Sequence, residues 1–222
     1  MDPISPLRVT RSKHQARTYY NFISRFYDLL SGGSEGRLRD AAVRRLGVRP
    51  GERILEIGIG TGSGLRDLAE CAGPSGAAVG VDLSDGMLAV ARGRLRGSRP
   101  AAPVRLACAD AVRLPFRSGW FHVVFMSFTL ELFDTPEIRA VLAECRRVLA
   151  QEGRLGVAAM ALDPKPGALS RVYQFLHRVF PVWVDCRPID CRRAVDEANL
   201  RVTSSARESL FTLPVDIVIA VK

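Results

Sequence analysis

Three alternating glycines after an apolar run are the first residues whose spacing could do chemistry. Gly58, Gly60 and Gly62 follow the apolar residues 54–57, and Ser63 comes next. Glycine lets bare backbone approach a ligand closely, so the turn indicates a nucleotide or nucleoside site. The dinucleotide fingerprint would need its third glycine at position 63, and no Gly-Lys-Ser or Gly-Lys-Thr follows. The spacing therefore favours a nucleoside that carries no phosphate.

Two acidic residues accompany this glycine turn. Glu56 stands two residues before Gly58, and Asp82 ends the next apolar run, residues 77–81. In doubly wound nucleotide-binding folds, a carboxylate about 20 residues beyond the glycine turn binds the ribose hydroxyls. We therefore expect the ends of the first two strands to share one crevice.

Four ordered segments resemble the motifs of class I S-adenosylmethionine-dependent methyltransferases. The segments are 56–62, 81–87 with Val81-Asp82-Leu83-Ser84 and Met87, 108–116 with Cys108-Ala109-Asp110-Ala111 and Pro115-Phe116, and 121–127 with Phe121-His122-Val123-Val124 and Ser127. The resemblance runs from about Pro50 to the C-terminus and implies S-adenosyl-L-methionine as the cofactor. It further implies that Asp82 accepts from both ribose hydroxyls, that Leu83 and Met87 flank the adenine, and that Asp110 accepts from its exocyclic amine. The core cofactor-binding residues expected are Glu56, Gly58, Gly60, Gly62, Asp82, Leu83, Met87, Asp110, Ala111 and Ser127.

The N-terminal segment carries an aromatic stripe. Apolar residues recur there at intervals of three and four, which predicts a helix with one aromatic face: Tyr19, Phe22, Ile23, Phe26, Tyr27 and Leu30. Core packing is one interpretation. The other rests on the resemblance of residues 27–30 to quinone-biosynthesis and phospholipid N-methyltransferases, which implies a lid that adds Tyr19 and Tyr27 to the cofactor site. Residues 32–34, Gly-Gly-Ser, are expected to form a hinge after it.

A dedicated base matters only if the acceptor must lose a proton. A sulfonium methyl is already an activated electrophile, so positioning does much of the work, whereas a phenol or hydroquinone gains nucleophilicity on deprotonation. The candidate catalytic residues are His177, near Tyr173 and Trp183, and Glu131 after the fourth strand. A packed histidine and a helix-capping carboxylate are the alternatives. His122, where the family usually has aspartate, is interpreted as structural.

Alternating strand and helix patterns predict an α/β fold, and the resemblance implies a doubly wound, seven-stranded, mostly parallel Rossmann-like sheet with an N-terminal helical lid. Strands are expected at 53–58, 77–82, 103–108, 121–127 and 153–160, before a C-terminal hairpin. The chain of 222 residues is interpreted as a single methyltransferase domain, 1–222. Its expected parts are an N-terminal helical cap (1–49), a cofactor-binding core (50–160), an insertion that covers the substrate (161–199) and the hairpin (200–222).

Composition narrows the possible partners. The formal net charge of +9 permits an anionic partner. Because the arginines are dispersed without a nucleic-acid motif, no nucleic acid is expected, and weak association with an anionic membrane surface stays open.

The five cysteines favour neither a disulfide framework nor a metal site, because they lack a second closely spaced pair and a nearby histidine. Without a long apolar stretch or a secretory start, the chain is expected to be cytoplasmic. The sequence makes no prediction of the oligomeric state.

The combined prediction is methyl transfer from S-adenosyl-L-methionine to a small-molecule acceptor that is largely apolar, such as a quinol or phenolic ring. Residues 127–134 and 185–189 look like a subgroup related to ubiquinone and menaquinone C-methyltransferases. A phospholipid or lipid-amine N-methyltransferase is the first alternative. A non-catalytic module that binds the cofactor without turnover is the second.

Overall fold

A computed structural model of the chain describes residues 9, 12–24, 27–163, 186–211 and 213–222, with the backbone alone for residues 27–34. The elements in chain order are α1 (Lys13–Ile23), α2 (Tyr27–Leu46), β1 (Arg53–Ile57), α3 (Ser63–Ala72), β2 (Ala77–Asp82), α4 (Asp85–Ser98), β3 (Val104–Cys108), β4 (Phe121–Ser127), a 3-10 turn (Leu130–Leu132), α5 (Thr135–Val148), β5 (Leu149–Met160), α6 (Cys191–Glu197), β6 (Arg201–Leu210) and β7 (Leu213–Val221).

The seven strands form one sheet in the order β3-β2-β1-β4-β5-β7-β6. Only β7 runs antiparallel to its neighbours β5 and β6, and the other described pairs are parallel. Strand order reverses between β1 and β4, and such a switch point opens a crevice at the carboxyl ends of the strands. The predicted fold class is confirmed, including the presence of N-terminal helices.

Buried residues on both faces explain why β4 is almost continuously apolar. Val124 and Met126 pack into the core cluster that contains α5 and α6, whereas Val123 and Phe125 pack into the cluster that contains α3 and α4. A strand covered by helices on both faces has no solvent-facing side, so it loses the polar alternation of an exposed sheet. This packing fixes the carboxyl end of β4 in the middle of the sheet.

The N-terminal region differs from the prediction of one aromatic helix and a hinge. α1 ends at Ile23, and α2 begins at Tyr27 and continues through residues 32–34. The hinge prediction is therefore wrong. Glycine costs a helix about 1 kcal/mol relative to alanine, but burial of the C-terminal half of α2 favours the helix, with Ala42 and Leu46 packed in the core. Of the predicted cap, the buried C-terminal half of α2 is thus a structural layer, whereas α1 lies over the strand ends.

In the second half of the chain, β5 and the C-terminal hairpin can be compared with the prediction. β5 begins at Leu149, four residues before the predicted start, because α5 passes directly into a strand whose first residue pairs with Phe121. The C-terminal hairpin is present as β6 and β7. The predicted insertion helix with Tyr173, His177 and Trp183 lies outside the described residues. In the part of the chain that the structure describes, no helix is long and apolar enough to cross a membrane.

Candidate functional site

A cavity opens at the carboxyl edge of the sheet, between the ends of β1, β2 and β4 and the helix α1. The switch point of the sheet brings together residues that are far apart in the chain. Eight of the residues predicted to bind the cofactor line this cavity: Gly58, Gly60, Asp82, Leu83, Met87, Asp110, Ala111 and Ser127. Glu56, Gly62, Tyr19 and Glu131 do not line it, and the side chain of Tyr27 lies outside the description.

Gly60 is the glycine at which the absence of a side chain leaves space open in the cavity. Its φ is +51°, and a Cβ built on it would meet no atom within 4 Å, so the side chain would project into open space. Because Gly60 also lines the cavity, that space is where a ligand can approach the backbone.

The other two glycines of the turn are required for packing. A Cβ on Gly58 would collide with the side chain of Thr129, and a Cβ on Gly62 would lie 2.9 Å from the Cβ of Ala91 in α4. Both glycines have positive φ, which disfavours other residues regardless of the space available. The structure thus separates Gly60, where a side chain would meet open space, from Gly58 and Gly62, where a side chain would prevent the turn from closing against Thr129 and α4.

Asp82 ties the glycine turn to the turn after β2. Its Oδ2 accepts from the Gly60 backbone N–H at 3.0 Å, and its Oδ1 accepts from the Ser84 N–H at 2.9 Å. Burial raises the pKa of Asp82, although these backbone donors act in the opposite direction. Each carboxylate oxygen has further accepting capacity, so both can also receive ribose hydroxyls.

Glu56 lies behind the turn instead of at the cavity. It is 3% exposed, and its carboxylate occupies the space that a Cβ on Gly64 would need, beside Arg39 of α2. Its Oε2 has no hydrogen-bond partner among the described residues. Burial raises the pKa of Glu56 to about 8, against the opposing charge of Arg39. The structure does not bring Glu56 to the cavity wall, so its contribution is to the packing between β1 and the start of α3.

Asp110 faces a cation that the sequence did not reveal as part of the site. Lys13 of α1 donates to Asp110 Oδ2 at 2.7 Å and lies 3.0 Å from Glu137 Oε1, and all three residues line the cavity. Partial burial lowers the pKa of Lys13, but the hydrogen bonds and charges of the two carboxylates outweigh it and raise the pKa overall. Asp110 Oδ1 accepts from the Val112 N–H at 3.1 Å. Asp110 is therefore held at the cavity as a carboxylate acceptor.

The cavity-facing side of α1 is not the predicted aromatic stripe. Tyr20 lines the cavity together with Lys13 and Ala16, whereas Tyr19 does not, and Phe22 is 75% exposed. Residues 13, 16 and 20 share one helix face at intervals of three and four. The stripe prediction missed this face because Lys13 is charged and Ala16 is small, so neither belongs to a stripe of large apolar side chains.

Apolar residues after β4 complete the cavity on the other side. Phe128, Leu132 and Phe133 line it beside Ser127 and Thr129. Phe128 has φ +51°, an unusual conformation for a residue with a Cβ, and its N–H donates to the carbonyl of Ala158 at 2.8 Å. Backbone in such a conformation persists where the surroundings fix it, and it clusters at functional sites. The end of β4 thus presents an apolar surface next to the glycine turn.

Glu131 does not face this apolar surface. It is fully buried, and its Oε1 accepts from the Met160 backbone N–H at 3.0 Å, at the end of β5. The buried Arg187 donates to the backbone carbonyl of Phe133, two residues after Glu131, at 2.7 Å. Glu131 therefore supports the junction between β4 and β5, and this placement contradicts its prediction as a base in contact with the acceptor. The prediction for His177 lies outside the described residues.

His122 is structural, at the opposite edge of the sheet from the cavity. Its Nδ1 accepts from the Arg53 N–H at 2.9 Å. Burial and the charge of Arg53 lower the pKa of His122, which favours the neutral, accepting imidazole. No group of three histidine, cysteine or acidic side chains suited to a metal ion occurs among the residues described.

Comparison with known proteins places the chain in a family. Residues 54–153 match the model of a methyltransferase domain. The chain is 36% identical over 168 residues to the ubiquinone/menaquinone biosynthesis C-methyltransferase of Ectopseudomonas mendocina, covering 75% of this chain and 62% of that one. It is 33% identical over 175 residues to the corresponding enzyme of Cupriavidus taiwanensis, covering 78% and 68%. The chain thus spans less than two thirds of the length of the first of these relatives.

Two solved structures show the same fold at low identity. The [4+2]-cyclase SpnF superposes with a TM-score of 0.77 at 17% identity, covering 99% of both chains. The 1,6-didemethyltoxoflavin-N1-methyltransferase of Burkholderia thailandensis, with bound substrate and S-adenosylhomocysteine, gives 0.69 at 17% identity, covering 99% of this chain and 94% of that one. Because one neighbour is a cyclase and the other a methyltransferase, the shared fold does not by itself define the reaction.

The fold, the strand-end cavity and the sequence relatives together show that this chain belongs to the class I S-adenosylmethionine-dependent methyltransferases. Within that class it is similar to the C-methyltransferases of ubiquinone and menaquinone biosynthesis. S-adenosyl-L-methionine is the cofactor of the family, and the residues present fit it: open space at Gly60, the acceptors Asp82 and Asp110, and the apolar Leu83 and Met87, which line the same cavity.

Proposed function

We propose that the protein transfers a methyl group from S-adenosyl-L-methionine to a small, largely apolar acceptor such as a quinol or phenolic ring. One observation carries the proposal. The same cavity is lined by Gly60 and Asp82 on one side and by Phe128, Leu132 and Phe133 on the other, so a nucleoside and an apolar ring can lie next to each other. The names of the sequence relatives support a ring carbon as the methylated atom.

The residues of the cavity divide the work. Bound cofactor would supply a methyl group that the sulfonium charge has already activated. Asp82 would accept from the ribose hydroxyls and Asp110 from the adenine amine, while Gly60 leaves room for the ligand against the backbone. Phe128 and Phe133 would exclude water and hold the ring beside the methyl group. Holding two reactants in line can account for several kcal/mol of barrier lowering, so the chain needs few ionisable groups at the acceptor.

The acceptor class can be tested by release of S-adenosylhomocysteine. The panel contains a short-chain naphthoquinol, the matching oxidised quinone, a simple phenol, and phosphatidylethanolamine vesicles with and without anionic lipid. We expect turnover on the quinol or the phenol in vesicle-free solution and none on the oxidised quinone, whose ring carbons are poor nucleophiles. Turnover confined to the lipid amine would establish the N-methyltransferase alternative. Tight cofactor binding without turnover on any member would favour the non-catalytic alternative.

The cofactor assignment has its own test in Asp82→Ala. Loss of charge-assisted hydrogen bonds to the ribose should weaken S-adenosylhomocysteine binding about ten- to hundredfold. Asp85→Ala is the matched control, because this neighbouring carboxylate is exposed on α4 and does not line the cavity. Calorimetry that finds unchanged affinity in a folded Asp82→Ala variant would refute the ribose role.

A further inference from the structure

The first turn of α4 is capped by two different parts of the chain. Ser84 is the local cap, since its Oγ accepts from the Met87 N–H at 3.0 Å. Asn21 of α1 adds a second cap, because its Oδ1 accepts from the Ser84 hydroxyl at 2.6 Å and from the Gly86 N–H at 2.9 Å. The first N–H groups of a helix have no partner within the helix, so they need acceptors from outside it. Here a residue 65 positions away from Gly86 provides one.

The same serine connects Asn21 to the cofactor side of the turn. The Ser84 N–H donates to Asp82 Oδ1, and the other oxygen of Asp82 accepts from Gly60. Hydrogen bonds therefore run without interruption from Asn21 through Ser84 and Asp82 to Gly60. Asn21 itself does not line the cavity, whereas Asp82 and Gly60 do.

Gly86 shows how closely α1 is seated on α4. A Cβ on Gly86 would lie 2.9 Å from the Asn21 Cα, 3.0 Å from the Ser24 Oγ and 3.2 Å from the Asn21 carbonyl oxygen. The first and last of these are backbone atoms, so a side chain at position 86 would displace α1 as a whole. Gly86 does not have a positive φ, so its own helix does not require glycine there. The close approach of the two helices is what requires it.

We propose that Asn21 is a positioning residue for the cofactor. Through Ser84 and Gly86 it holds the turn from Asp82 to Met87 in the geometry that binds ribose and adenine, and it fixes α1 over the cavity at the same point. The inference rests on the proposed ribose role of Asp82. The inference adds that part of the cofactor affinity depends on Asn21, a residue of α1 that does not itself line the cavity.

The experiment measures S-adenosylhomocysteine affinity by calorimetry, with thermal melting of each variant as the folding control. Asn21→Ala should weaken binding about five- to tenfold, since two hydrogen bonds that fix the turn are lost. Asn21→Asp should stay within about twofold of the parent, because a carboxylate oxygen keeps the acceptor and suits a helix N-terminus. Gly86→Ala should weaken binding to a similar extent as Asn21→Ala, because it displaces α1 without removing any hydrogen-bonding group.

A matched control uses a different polar contact between the two helices. Arg17→Gln removes the ion pair from α1 to Asp85, which is exposed and does not belong to the path to Asp82. Exposed pairs of this kind contribute little, so we expect affinity within about twofold of the parent. In a Ser84→Ala background, Asn21→Ala should cause a smaller further loss than in the parent, because the hydroxyl contact is already absent and only the contact with the Gly86 N–H is left to remove.

The outcomes separate the inference from the proposed function. If Asp82→Ala weakens binding but folded Asn21→Ala and Gly86→Ala do not, the positioning role is overturned while the ribose role stands. Equal losses in Asn21→Ala and Asn21→Asp would also overturn it, because the acceptor oxygen would then be irrelevant. If Asp82→Ala has no effect, the ribose role fails whatever the Asn21 variants do, and the inference fails with it.

Discussion

The cavity has two walls that are built in different ways. The strand-end wall, with Gly60, Asp82 and Asp110, follows directly from the parallel strands β1, β2 and β3 and the turns that end them. The lid wall, with Lys13 and Tyr20 of α1, lies close to it through polar contacts between residues far apart in the chain. Lys13 and Asp110 are separated by 97 positions, and the buried part of α1 is confined to Ile23.

This difference has an energetic consequence. Elements with little buried apolar surface and partly exposed hydrogen bonds open at a lower free energy than the core that supports them. α1 should therefore detach from the strand-end wall more easily than any described strand detaches from the sheet. Cofactor recognition would then reside mainly in the strand-end wall, and the lid would adjust it.

The strongest test of that division is Gly60→Val. A side chain at this position projects into the cavity and strains a positive φ, so we expect cofactor affinity to fall more than a hundredfold. Gly119→Val is the matched control, because Gly119 also has positive φ (68°) and open space around its Cβ but lies away from the cavity. Melting curves and calorimetry on both variants separate strain from exclusion. Equal, small losses of affinity in the two would show that Gly60 serves only the turn.

The strand-end wall could be predicted because its signals are local. A glycine or aspartate that ends a strand or closely follows it lies at the carboxyl edge of the sheet, so spacing and motif resemblance alone predict Gly60, Asp82 and Asp110 at this edge. The direction in which a side chain points is harder to infer from the sequence than the edge of the sheet at which its residue lies. Glu131 follows β4 as closely as the cavity residues do, yet it turns towards Met160 in β5 because a short 3-10 turn rotates it into the core.

The lid wall could not be predicted in detail, for a physical reason. Aromatic residues on α1 mark several faces, and only tertiary packing selects the one with Lys13, Ala16 and Tyr20. Its attachment uses single hydrogen bonds such as Asn21 to Ser84, which leave no periodic pattern in the sequence. The predicted boundaries of the N-terminal helices were wrong for a related reason. Burial of the C-terminal half of α2 favours the helix by more than the glycines of α2 disfavour it.

A second prediction compares two carboxylates whose pKa values shift in opposite directions: Glu56, behind the glycine turn, and Glu52, before the start of β1. Burial raises the pKa of Glu56 from 4.5 to about 8, so the folded state binds more protons than the unfolded state between these values. The free energy of unfolding should therefore fall as the pH rises through this window, by at most about 1.4 kcal/mol per pH unit. Glu56→Gln should remove that dependence and stabilise the ligand-free protein at pH 9, with little gain at pH 4.

Glu52 provides the control of opposite sign. Although burial opposes the shift, hydrogen bonds from Arg154 and the Arg49 N–H lower its pKa. Its ionised form therefore stabilises the fold above its unfolded pKa of about 4.5, and this stability is lost as the pH falls through the folded value. Glu52→Gln should destabilise the protein at pH 7. Denaturant titrations at several pH values check both signs, and a Glu56→Gln variant less stable than the parent at pH 9 would show that the carboxylate is stabilised by charge interactions such as that with Arg39.

The smallest expected effect lies on the lid wall, in two adjacent aromatic residues. Tyr19 and Tyr20 contact each other edge to face with ring centroids 5.5 Å apart, but only Tyr20 lines the cavity. Tyr20→Ala should weaken S-adenosylhomocysteine binding about three- to fivefold, since it removes one apolar contact from a wall that adjusts affinity. Tyr19→Ala removes the same ring chemistry one position along the helix and should change affinity less than twofold. If Tyr19→Ala caused the larger loss, α1 would have to present a different face to the bound ligand. If Tyr20→Ala abolished binding, the lid would be as important as the glycine turn, and the division between the two walls would fail.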